Sequence, residues 1–151
     1  MAKKKTAQSK SPKKQAIKRD DIERLDEFTR AYAECALWAS TEGENGETPL
    51  DKNHSINDIT PYTISKMARD CKLFQLTAAW LIHGDKYKPN EWSNDARGGH
   101  DFWLTRNGHG TGFWDREWVD GSDGKELMAV CKVFGECNLI VNDDGQIESD
   151  Y

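Results

Sequence analysis

The stretch HDFWLTRNGHGTGFWDREW, His100 to Trp118, constrains the fold most. It holds three of the chain's six tryptophans and two of its four histidines. Phe102–Arg106 and Thr111–Trp118 are runs of β-type composition. The intervening NGHG suits the positive backbone angles of a tight turn, so the stretch predicts a β-hairpin. Two registers are open. A two-residue turn at Asn107–Gly108 sets Phe102 against Phe113 and His100 against Asp115, whereas a four-residue loop sets Trp103 against Trp114 and Asp101 against Arg116. Because they differ by two residues, each residue keeps its face in either register. One face carries His100, Phe102, Leu104, Phe113 and Asp115, with Arg106 and Thr111 toward the turn. The other carries Asp101, Trp103, Thr105, Gly112, Trp114 and Arg116.

Three uses of this hairpin are open. His100 and Asp115, with Arg106 and His109, are acid–base candidates for a small hydrolase or metal-dependent enzyme. No HExxH pattern accompanies them, and no metal or cofactor is expected. Trp103 and Trp114, with Asp101 and Arg116, would instead form a ligand-binding face that stacks a base or nucleotide. The structural alternative packs tryptophan over Gly112 and pairs Asp101 with Arg116 across the strands. Gly108, Gly110 and Gly112 do not make a dinucleotide fingerprint, because no helix N-terminus follows them closely.

Elsewhere the apolar spacing is helical. Ile22, Leu25, Phe28, Tyr32, Cys35 and Ala36 recur at three- and four-residue steps and predict a helix from Asp20 to Ser40. Residues 40–58 read as a long polar loop in which His54 is solvated. Thr60 before Pro61 is a helix start. That second helix runs to about His83, with a kink near Asp70. The segment HGDKYKPNEWSNDARGG reads as a loop. A third helix covers about Gly124 to Phe134, ending at Gly135, and CNLIV–NDDG–QIES reads as a second hairpin. Asp143 and Asp144 are there as turn residues, not cation ligands. The four cysteines, none in a CxxC pair, read as buried free thiols. The expected fold class is α+β. N-terminal helices pack with a C-terminal β-hairpin–helix–β-hairpin unit forming a small antiparallel sheet.

Charge divides the chain. Residues 1–19 carry eight basic residues and no acid, which leaves the remainder at −13 against a total of −5. They read as a disordered basic tail ahead of a single domain spanning 20–151. Lys3, Lys4, Lys5, Lys13 and Lys14 are candidates to touch nucleic-acid phosphates, making a DNA- or RNA-binding protein a third functional reading. No apolar run approaches the ~20 residues of a membrane span, and no apolar segment follows the basic start, so no membrane association and a cytoplasmic location are expected.

GGHDFWLTRNGHGTGFWDR, with AYAECALWAS upstream and VFGECNLIVNDDGQIES downstream, resembles an uncharacterised family of small tailed-bacteriophage proteins. The resemblance covers roughly residues 32 to 147; its central motif is long and specific, and the lysine-rich tail lies outside it. It implies an α+β fold and a phage origin, hence a location in the host cytoplasm, and transfers no catalytic residue. Small accessory phage proteins often bind host machinery, including restriction, CRISPR or nucleotide-signalling defences. The expected function is therefore binding of a host protein, nucleic acid or nucleotide. An acidic body of this kind would also suit imitation of nucleic acid toward a basic partner.

Overall fold

The computed structural model describes residues 19–82, 92–114 and 121–150. The basic segment 1–18 and residues 115–120, which include Asp115 and Arg116, lie outside them. Asp26 breaks the first helical stripe in two. Its carboxylate accepts the Thr29 amide at 2.7 Å and caps a new helix, so α1 (Arg19–Glu23) ends before α2 (Glu27–Ala39) begins. The stripe itself is as spaced: Phe28, Tyr32, Cys35 and Ala36 are buried along α2. The 40–58 loop folds into a short antiparallel pair, β1 (Thr41–Glu42) with β2 (Thr48–Pro49), then two 3-10 turns at Leu50–Lys52 and Ile56–Asp58. His54 is not merely solvated: its Nε2 lies 3.2 Å from Glu42 Oε2.

Thr60 and Pro61 open α3 (Pro61–Ile82), and the Thr60 hydroxyl accepts the Thr63 amide. The helix is unbroken through Asp70, whose carboxylate is turned into the core. Near the C-terminus, α5 (Gly121–Lys132) precedes β3 (Leu139–Val141) and β4 (Ile147–Ser149), an antiparallel hairpin on the NDDG turn. Gly145 takes φ +73° there, and the Asn142 side chain accepts the amides of Asp144 and Gln146. The hairpin is tied to α3 where the Thr60 amide donates to the Ile147 carbonyl at 2.8 Å. The fold is α+β, as expected, with helices and two small antiparallel sheets.

The hairpin expected over 100–118 is corrected. Asn94–Arg106 is a helix, α4, capped by the Ser93 hydroxyl accepting the Ala96 amide at 3.0 Å. Residues 94–99 therefore belong to the same helix and not to a loop. The reason is tertiary. A Cβ at Gly99 would overlap the Phe28 carbonyl oxygen, and one at Gly98 would stand 2.8 Å from the Phe28 ring. Two residues without side chains let the backbones of α2 and α4 touch, and this is the most extensive helix pairing in the fold. Burial on several sides then outweighs the β-preference of FWLT: Phe102, Trp103 and Leu104 are all buried. The chain leaves α4 through Gly108 at φ +67° and folds back until the Phe113 amide donates to Thr105 Oγ1 at 2.9 Å. Phe113 closes an aromatic core in which Phe74 and Phe102 stack at 4.2 Å between centroids.

Candidate functional site

The central motif supplies two clusters with different characters. The first surrounds Arg106, whose side chain is wholly buried. Its Nη1 donates to Asp70 Oδ2 at 3.0 Å and to the Tyr32 hydroxyl at 2.8 Å. Its Nε and Nη2 donate to the carbonyls of Gly135 and Phe134 at 2.6 and 2.9 Å. One guanidinium thus joins α2, α3, α4 and the segment after α5, and neutralises a buried carboxylate. With its donors engaged this way, the guanidinium fastens the fold, although Asp70 and Phe134 also line a shallow pocket between α3 and the end of α5.

The second cluster opens to solvent. A pocket of about 600 Å³ lies between α2, α4 and the first 3-10 turn. Trp38 from the end of α2 and Trp92 just ahead of α4 flank His100. The His100 ring lies 6.2 Å from Trp38, tilted by 31°, and 5.3 Å from Trp92, edge to face. Trp38 and Trp92 are 56% and 45% exposed. Glu34 and Asp51 add two carboxylates to the wall, with Ala31 and Ala96 beside them. Behind the ring, His100 Nδ1 sits 3.1 Å from Asp101 Oδ1, and Arg97 Nε approaches the same carboxylate at 3.9 Å along the helix. Asp101 is buried, so it fixes the imidazole from the core side.

Cys35 lines the same pocket, but its chemistry is not that of a nucleophile. Burial pushes its thiol far up, with the Asp101 charge adding to the shift, so the thiolate is disfavoured. Cys71 and Cys131 are likewise raised by burial, and all four cysteines are free and buried. Among the described residues no group of three or more His, Cys, Asp or Glu side chains is placed to hold a metal ion. Among the described residues, none of the pocket-lining side chains is Lys or Arg.

The sequence-based candidates separate accordingly. His100 and Asp101 stand together at the pocket, while Arg106 is interred in the first cluster. His109 is exposed on the loop after α4. Trp103 is fully buried edge to face against Tyr32, and it offers no stacking surface. Trp114 is half-exposed with its ring against Gly112, while Trp103 is in the core, so the two indoles offer no common stacking surface. Asp115, Arg116 and the lysines at 3, 4, 5, 13 and 14 lie outside the described residues. Sequence reasoning missed Trp38, Trp92, Glu34 and Asp51. The available signals were Ser93 as a helix cap and Trp38 falling off the apolar stripe of α2.

A further exposed surface runs along α3, where Leu73, Leu76 and Trp80 face outward beside Val133. Among the described residues no helix is long and apolar enough to cross a membrane. No protein-family model matches the chain, and no curated protein or solved structure matches it significantly.

Proposed function

We propose that this chain is a small non-catalytic binding protein whose recognition site is the Trp38–His100–Trp92 pocket. The observation that carries the reading is the pair of half-exposed indoles set around an imidazole that is itself held from behind by Asp101. Large aromatic side chains left in water around a concavity are the usual anchors of recognition sites. The protonated thiol of Cys35 argues against covalent catalysis at the same place. The resemblance of the central motif to small tailed-phage proteins would place the partner among host proteins of the bacterial cytoplasm, with a counter-defence role as one form of it.

Affinity capture from bacterial lysate, run in parallel with Trp38→Ala and Trp92→Ala chains of unchanged circular dichroism, tests this. A partner retained by the native chain and lost by both variants is expected. A partner retained equally by all three overturns the assignment of the pocket.

The eight basic residues among the first nineteen favour a second reading, nucleic-acid binding through phosphate charge. It predicts DNA affinity that falls steeply with salt and disappears on deletion of residues 1–19, with both tryptophan variants behaving as the native chain. Salt-independent binding, or binding that survives the deletion, excludes it.

A further inference from the structure

We infer that the group captured between Trp38, His100 and Trp92 is the guanidinium of an arginine side chain on a partner polypeptide. The inference rests on the pocket reading above and specifies its ligand. The wall combines aromatic rings, which attract cations through their negative faces, with the carboxylates of Glu34 and Asp51. The nearest guanidinium on α4, that of Arg97, is turned to Asp101. The wider field agrees, because residues 20–151 carry a formal charge of −13.

The same features disfavour the nucleotide that aromatic stacking alone would suggest. Among the described residues, a phosphate entering this pocket would meet two carboxylates and no lysine or arginine of the lining. Between the two basic side chains, arginine fits better. Its plane stacks on rings, it sheds water more readily than an ammonium, and its fork of donors matches a carboxylate. A lysine head group would use the carboxylates but not the ring faces to the same degree.

The test uses the full chain, with the indole N–H resonances of Trp38 and Trp92 assigned by substitution. The probes are blocked Gly-Arg-Gly, the matched citrulline and lysine peptides, and adenosine monophosphate, all at low ionic strength. The arginine peptide should shift both resonances saturably. The citrulline peptide, uncharged but of the same shape, should bind at least tenfold more weakly, and the lysine peptide several-fold more weakly. Adenosine monophosphate should leave both resonances in place. Glu34→Gln and Asp51→Asn should each weaken the arginine peptide several-fold while leaving the indole resonances of the free chain unmoved. Equal binding of citrulline, or binding of the nucleotide, overturns the cationic ligand and leaves the pocket standing. Equal binding of lysine overturns the guanidinium alone. If no probe moves either resonance, the pocket reading itself falls.

Discussion

Arg106 and Asp70 meet at 3.0 Å with the guanidinium entirely out of water. Without Asp70 the guanidinium would be a charge stranded in the core, and without Arg106 the buried carboxylate would keep only Arg69, an exposed side chain 3.6 Å away. Arg106→Ala should therefore cost about 3–5 kcal/mol. Arg106→Lys should also destabilise strongly, because an ammonium cannot reach the Tyr32 hydroxyl, Asp70 and two carbonyls at once. Urea unfolding monitored by circular dichroism reads both. A midpoint within error of the native chain for Arg106→Lys would show that the forked geometry is dispensable.

The glycines of the central motif should rank by what surrounds them. Gly99→Ala must push the α2 backbone away at Phe28, and a loss of at least the roughly 1–3 kcal/mol typical of overpacking is expected. Gly98→Ala meets side chains rather than backbone, the Phe28 ring at 2.8 Å and Ile82 at 3.4 Å, and should cost less. Gly110→Ala meets nothing within 4 Å and should change stability by no more than about 0.5 kcal/mol. Thermal unfolding of the three variants gives the order directly, and Gly110→Ala as the most damaging would contradict it.

Asp26 links stability to acid. Burial pushes its carboxyl up, but hydrogen bonds from Thr29 and Gln75 outweigh that and hold it below its ordinary value. A lowered carboxyl stabilises the fold fully above the unfolded value of about 3.9. That contribution is lost as pH falls through the lower folded value. Asp26→Ala should cost about 0.5–2 kcal/mol at neutral pH as a lost helix cap. The gap between variant and native chain should close below about pH 4. Melting curves from pH 7 to pH 2 check the sign: a gap that widens in acid would reverse it.

The thiols give a simple probe of integrity. At pH 8 the folded chain should be inert to an aromatic disulfide reagent, since all four cysteines are buried and burial raises at least Cys35, Cys71 and Cys131. In guanidinium all four should react at once. Rapid modification of any one in the folded chain would contradict the packing around it.

What could be read from the sequence was local. The stripe from Phe28 to Ala36, the Thr60–Pro61 start and the NDDG turn each carry their signal within a few residues, and each lies where that signal put it. The helix over 94–106 carries opposing local signals: two glycines that weaken helices, then FWLT, which favours strands. Its helical state is decided by Phe28, far away in the chain, against which those glycines pack. The Asp26 break was equally hidden, because an aspartate inside an apolar stripe reads as a solvent-facing position until its capping bond is seen. At the site, His100 was legible as an ionisable group in an unusual setting. Its companions Trp38 and Trp92 were not, because only the close approach of α2 and α4 brings them to either side of it.

The bare backbone contact at Gly98 and Gly99 separates what the chain must keep from what it is free to vary. Proteins carrying the same glycine pair, the Phe74–Phe102–Phe113 stack and Arg106 would inherit this scaffold. On the binding reading proposed above, their choice of target would be written instead at positions 34, 38, 51 and 92, on the rim of the pocket.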